Sequence, residues 1–214
     1  ETGRENCCFL HVTLVPYISG SCEFKSKPTQ HSVKELQGMG VNPDIIVLRT
    51  DEKIEDPSIV RKIANFCNVR PDCVIENTTL PILYEAPLML EEAHLSDIVC
   101  RELQIEAPAP DMTQWREMVD RIRHPQGTVR IAMVGKYMQL HDAYLSVAEA
   151  LRHAAYALGR SVHIDYVDSE TINEGNVAEM LGEADGILVP GGFGERGIEG
   201  MIAAARYARE NAKP

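Results

Sequence analysis

"NPDIIVLRT", residues 42–50, decides how this chain folds. Ile45, Ile46, Val47 and Leu48 follow one another with no polar residue between them. Successive side chains of a strand point to opposite faces, so a strand here carries apolar groups on both. Such strands sit inside parallel sheets, with helices packed over each face. Working outward, "FLHVTLVPYI" (9–18) reads as a strand before it and "CVIEN" (73–77) as a weaker one after it. Ser32-Val33-Lys34-Glu35 has the form of a capping box, which places a helix start within residues 29–32, and Gly40 stands where that helix should end. Asp56-Pro57 reads as an N-cap and first helical residue, with Ile59, Ile63 and Phe66 spaced for one face. Residues 87–103 form a third helix with a break near Ser96.

The composition then shifts. Pro108, Pro110 and Pro125 surround a short helical stretch holding the only tryptophan, Trp115, as a linker would. Alternation restarts after it. Strands are expected at 128–137, 161–170 and 186–190, and helices at 141–159, around Met180 and Leu181, and at 201–211. The order implies a second parallel sheet with right-handed crossovers. The fold class is α/β, with two parallel-sheet units: residues 1–106, a linker over 107–127, and residues 128–214.

Among 214 residues, 44% are hydrophobic and 25% charged, and no apolar run approaches the ~20 needed to span a bilayer. The formal net charge of -11 argues against a general nucleic-acid binder. It leaves room for a small anionic ligand in a locally basic pocket. All six cysteines lie at or before Cys100, and neither they nor the seven histidines show metal-ligand spacing. They read as reduced thiols of a cytoplasmic protein used as small hydrophobes, with no metal site.

Two stretches carry candidate chemistry. In "CEFKSKPTQHSVKEL" (22–36), Lys25 and Lys27 stand two apart, ahead of a helix start. Pro28 biases Lys27 toward extended backbone, which would project both ammonium groups to one side. With a helix N-terminus behind them they suit a polyphosphate, and Gln30 could read a base or sugar edge. On spacing alone the pair fits two solvated lysines beside a turn better than a phosphate clamp, because such pairs are common. The second stretch is "LVPGGFGERG" (188–197), at the carboxyl end of a strand, where open α/β sheets bind ligands. Its glycines suit an oxyanion hole or an anion cradle, and equally an ordinary flexible turn. No cysteine follows Cys100 and no serine follows Ser169, so such a hole has no nucleophile beside it in this sequence.

Taken together, the two halves resemble the CTP synthase family, amidotransferase-coupled ligases that convert UTP to CTP. "HVTLVPYI", "KSKPTQHSVKEL", "PDIIVLRT", "KIANFCNV" and "YEAPL" are similar to the later part of a P-loop-like amidoligase (synthase) domain. "VGKYMQLHDAYLSVAEALRHA" and "ILVPGGFGERGIEGMIAAARYAREN" are similar to the opening of a flavodoxin-like class I glutamine amidotransferase domain. The resemblance implies that Lys25, Ser26, Lys27, Pro28, Thr29 and Gln30 contact UTP or CTP, with Ser26 in place of the usual threonine. It gives Lys62, which locally reads as a helix-flank lysine, a further pyrimidine-nucleotide contact. Gly191 becomes an oxyanion-hole candidate and Gly192 a glutamine contact.

There are departures. Thr78, Thr79 and Leu80 stand where the family's ATP-contacting tripeptide is usually Lys-Asp-Val, a change backbone contacts can survive. One extra residue lies between Arg49 and Lys62. Cys22 replaces a common glycine for no chemical purpose evident in the sequence. The implied reaction uses ATP and Mg2+ as cofactors to phosphorylate the uracil 4-oxygen of UTP. Ammonia released from glutamine by a thiolate then displaces that phosphate. UTP, CTP, ATP and glutamine are the implied partners, GTP a candidate effector, and a homotetramer the implied assembly, with no nucleic-acid or membrane partner. The family's glycine-rich ATP loop, acidic magnesium ligands and nucleophilic cysteine are not in this sequence. The expectation is therefore an internal piece of a longer protein, cut at both ends and inactive by itself. The rival reading is a freestanding, non-enzymatic α/β module that senses nucleotides.

Overall fold

A computed structural model describes residues 3–192 and 194–214, with the backbone alone for His141. It resolves into two units, Glu1–Arg116 and Glu117–Pro214.

The first unit is built on β4 (Ile45–Thr50), the middle of a parallel sheet in which β1 (Leu10–Leu14) lies on one side and β5 (Val74–Thr78) on the other. The apolar run behaves as its chemistry requires. Ile46 and Leu48 face a core shared with Val33 of α1 (Lys27–Gly38) and Ile63, Ala64 and Cys67 of α2 (Pro57–Cys67). Ile45 and Val47 face the other side, with Ile75 and Ile98. That second layer is α3 (Ala86–Glu92) and α4 (Leu95–Glu102). They are divided at His94, whose φ of 58° breaks the helix two residues before Ser96.

β1 departs from expectation. The run 9–18 is not one doubly buried strand: Pro16 ends it, and Tyr17–Ile18 (β2) turns away to pair antiparallel with Glu23–Phe24 (β3). Within β1 only alternate residues are covered, and Leu10, Val12 and Leu14 lie exposed on the face they share with Ile45 and Val47. Among the described residues β1 pairs with β4 alone.

α1 also begins earlier than its polar signature suggests. Lys27 is its first residue and Ser26 already has helical backbone, φ −78° and ψ −16°. Proline in a first turn loses nothing, because no intrahelical partner awaits its missing N–H. Ser32 and Glu35 therefore lie mid-helix, and the Ser32 hydroxyl meets His11 Nε2 at 2.9 Å instead of capping. Gly40, at φ 86°, follows the helix end as expected. α2 starts where its sequence indicates: the Asp56 carboxylate accepts from the Ser58 amide at 2.8 Å, with Pro57 next in line. Its buried stripe is Ile63, Ala64 and Cys67, which leaves Phe66 68% exposed on the flank.

α5 (Thr113–Arg123) occupies the proline-flanked stretch, where Trp115 Nε1 donates to the Tyr84 carbonyl at 2.7 Å. Beyond it β6 (Thr128–Gly135) is central, pairing in parallel with β7 (Ser161–Asp168) and β8 (Gly186–Leu188). α6 (Leu145–Ala157), α7 (Val177–Leu181) and α8 (Ile198–Glu210) complete this unit. The order β7-β6-β8 is the 2-1-3 order of flavodoxin-like sheets, whose ligands bind at the carboxyl ends of the first and third strands. A core of Ala132, Val134, Leu181, Ala203 and Ala204 seats α7 and α8. Among the described residues no helix is long and apolar enough to cross a membrane.

Hydrogen bonds from the Ser58 hydroxyl and amide hold the Asp56 carboxyl below its ordinary value of 3.8. A depressed carboxyl stabilises the fold above its ordinary pKa and ceases to do so as pH falls through the depressed one. Asp56→Ala should therefore lower the urea midpoint at pH 7, with the gap to wild type closing below pH ~4. A gap that stays constant down to pH ~2 would remove the carboxylate from this role.

Candidate functional site

The lysine segment begins on a hairpin. Residues 19–22 connect β2 to β3, and Cys22 closes the turn at φ 50°, a left-handed conformation that favours glycine. This gives a backbone reason for the glycine that the family resemblance expects there. Lys25 follows β3 and ion-pairs with Glu23, whose carboxyl it holds below the usual range. Lys27 is on α1, so the two lysines do not project together from one extended strand.

The structure divides the remaining residues of this segment. Thr29 is fully buried, its hydroxyl 2.6 Å from that of Thr13 and 3.2 Å from the Leu14 carbonyl. Ser26 is buried too, and its Oγ accepts from Gln30 Nε2 at 3.0 Å. These two hydroxyls fix the turn into α1. Lys27, Pro28 and Gln30 instead line a cavity of about 740 Å³ with His31, Lys34, Gln37 and Phe66. Lys62 lies one turn before Phe66 on α2 and is exposed. The cavity thus joins two ammonium groups and two carboxamides to an open aromatic ring, and no side chain caps the adjacent N-terminus of α1. That combination suits a polyanion carrying a flat base.

The sequence alone gives His31, Lys34, Gln37 and Phe66 no binding role. The first three repeat from Lys27 at helical spacing, a polar stripe that could have been found once the helix start was placed correctly. Helical periodicity alone puts Phe66 on a core face, and the flank of a buried stripe is where that reading fails.

A second cavity, about 410 Å³, lies at the carboxyl ends of β4 and β5 and includes Thr78, Thr79, Leu80, Asn77 and Arg49. The Arg49 guanidinium donates to the Asn77 carbonyl at 3.0 Å and to Thr79 Oγ1 at 3.2 Å. Thr79 Oγ1 also donates to Asp51 at 3.1 Å, and its amide to the Thr50 carbonyl at 2.9 Å. The tripeptide is therefore held through side chains and backbone of this chain. Among the described residues no group of three or more His, Cys, Asp or Glu is placed to hold a metal ion. The described residues thus offer no cluster of carboxylates that would hold magnesium.

In the second unit Gly191 and Gly192 follow β8, beside the end of β6. A β-carbon on either would meet nothing within 4 Å, so packing inside the chain does not demand glycine at these positions. Phe193, within the same loop, lies outside the described residues. The opposite loop is close-fitted: a β-carbon on Gly135 would stand 3.2 Å from both Pro190 Cγ and the Tyr144 hydroxyl. Lys136 follows Gly135, and Tyr137 after it has φ 54°, which for a residue with a side chain costs on the order of 1 kcal/mol.

Family models match in the same two parts. Residues 1–105 match the CTP synthase N-terminus, and residues 139–214 the class I glutamine amidotransferase. Over all 214 residues the chain is 53% identical to a CTP synthase of Shouchella clausii and 50% identical to one of Levilactobacillus brevis. The chain belongs to the CTP synthase family. It spans 40% of the length of each of these relatives. A solved structure titled as the glutaminase domain of Trypanosoma brucei CTPS with bound acivicin is 47% identical, covers 40% of this chain and 34% of its own, and has a TM-score of 0.38.

The hairpin gives a test of its own. Relieving a left-handed residue gains about 1–2 kcal/mol, and the added freedom of an unfolded glycine returns about 0.5–1. Cys22→Gly should thus stabilise the chain by roughly 0.5–1 kcal/mol in urea unfolding, while Cys22→Ala should not. Equal effects of both substitutions would place the strain elsewhere.

Proposed function

We propose that this chain forms the pyrimidine-nucleotide and glutamine-loop parts of an enzyme that aminates UTP to CTP, with ATP and glutamine-derived ammonia. What supports this most is the cavity between α1 and Phe66, where Lys27 and Lys34 bring two ammonium groups together within a protein of net charge -11. In this reading the ammonium groups of Lys27 and Lys34, joined by Lys25 and Lys62 at the margin, neutralise the triphosphate. Gln30 and Phe66 take the base. Arg49 and Thr78–Leu80 hold ATP at the ends of β4 and β5, where backbone groups stand in for the usual lysine and aspartate.

The glutamine half works through Gly191 and Gly192. Amide donors aimed at the tetrahedral oxyanion lower the barrier, and removing one such donor costs about 2.7–4 kcal/mol. A thiolate supplied from outside this sequence attacks the carboxamide carbon and expels ammonia, leaving a thioester that water hydrolyses to glutamate; the ammonia attacks C4 of the uracil phosphorylated on its 4-oxygen, and that oxygen leaves with the phosphate. The same reading makes the assembled protein a cytoplasmic homotetramer with GTP as effector, Mg2+ as cofactor and CTP as product. It leaves the 214 residues alone without either activity.

The experiment uses the protein expressed from its complete reading frame. Lys27→Met and Lys34→Met should each weaken UTP binding about 10-fold, as loss of a charge-assisted contact does, and flatten its dependence on salt. Unchanged affinity and salt response in both would overturn the assignment of the cavity. CTP formation separates this reading from a nucleotide-sensing module, which would bind UTP and convert none.

A further inference from the structure

The loop after β8 is gripped from outside itself by two consecutive residues. Lys136 is only 5% exposed, and its Nζ donates to the Gly194 carbonyl at 2.7 Å. The next residue, Tyr137, has left-handed backbone and lies with its ring under Arg196, 5.1 Å from the guanidinium carbon. Arg196 in turn ion-pairs with Glu170, just past β7. Two points of the glycine loop, Gly194 and Arg196, are thereby tied to the ends of β6 and β7.

Fold stability does not ask for this arrangement. Burying an ammonium costs more than burying an apolar chain of similar length, and a methionine would fill comparable space. A left-handed tyrosine adds strain beside it. What the two residues supply is constraint. Gly191, Gly192 and Gly194 each have wide backbone freedom, so a loop containing all three samples many shapes unless something rigid selects one. β6 is the central strand of its sheet, and a donor on its end is about as fixed as this unit allows. The Tyr137 turn lets neighbouring side chains reach different points of one loop, where an extended chain would send them to opposite faces.

We propose that Lys136 and Tyr137 are positioning residues: they hold the glycine loop in one conformation, so that Gly191 and Gly192 are aimed before glutamine arrives. The inference rests on the glutaminase reading above and adds to it the source of the loop's preorganisation. Neither residue touches substrate in this role. Oxyanion donors are effective because they need no rearrangement during the reaction, and a misplacement of about 1 Å can cost roughly 100-fold in rate.

The test is made in the protein expressed from its complete reading frame. Glutamine hydrolysis is measured for Lys136→Met, Lys136→Arg and Tyr137→Gly, with CTP formation from added ammonia as the internal standard in each. Lys136→Met should lower kcat for glutamine about 10- to 100-fold relative to that standard, with KM changed less than about threefold. Lys136→Arg, which keeps a buried cationic donor, should recover most of the loss. Tyr137→Gly keeps the backbone and removes the ring, and should give a smaller drop in kcat. If Lys136→Met does not fold, Tyr137→Gly decides: wild-type kcat there overturns the proposal. So does a Lys136→Met protein with normal kcat, or one whose two rates fall in equal proportion. A wild-type protein that hydrolyses no glutamine at all sinks the glutaminase reading instead, a result these ratios keep distinct.

Discussion

Ile45, Ile46, Val47 and Leu48 cannot all be buried unless helices stand over both faces of β4, and the first unit is organised around that demand. Alternate side chains go to alternate cores, one closed by α1 and α2, the other by α3 and α4. Parallel strands need crossovers, and crossovers return every strand to point the same way. The carboxyl ends of β4 and β5 therefore coincide, which is why Arg49 meets Asn77 and Thr79 there. The N-terminus of α1 opens beside the cavity of Lys27, Lys34 and Phe66 for a related reason: packing on the β4 face fixes where that helix lies. In the second unit β6 has the corresponding place, with the glycine loop and Lys136 at the ends of adjacent strands.

Much of this could be read from residue order. The α2 start was plain because Asp56 and Pro57 each act locally, one through a side-chain acceptor and the other through a fixed φ. β4 was plain because four consecutive apolar residues leave no choice of face. Errors arose where a local signal competed with tertiary packing. Ser32 and Glu35 look like a capping box, yet His11 on β1 takes the Ser32 hydroxyl, and the helix extends back to Lys27. The run at 9–18 looks like one strand, yet Pro16 ends it, and among the described residues β4 is the one strand that pairs with β1. Gly191 and Gly192 were legible as a loop; Lys136 was not, because an ammonium within an apolar stretch gives no sign of which carbonyl it will meet.

Charge distribution separates the two kinds of lysine in this molecule. Lys27 and Lys34 line an open cavity, within reach of an anionic ligand. Lys136 is enclosed and bound to a carbonyl, which makes it part of the scaffold. The same ammonium group thus serves recognition where water can be displaced by a ligand and rigidity where water is already gone. Cys22 makes a parallel point about backbone: its left-handed turn is a demand of the hairpin, whichever residue occupies it.

The aliphatic row on β1 has a practical meaning for anyone handling the polypeptide. Leu10, Val12 and Leu14 stand in register on one face of a rim strand. An exposed apolar patch of this kind favours contact between molecules, and the repulsion from eleven surplus negative charges weakens as salt is added. Where salt screens that repulsion, Leu10, Val12 and Leu14 offer an apolar contact between copies of this polypeptide.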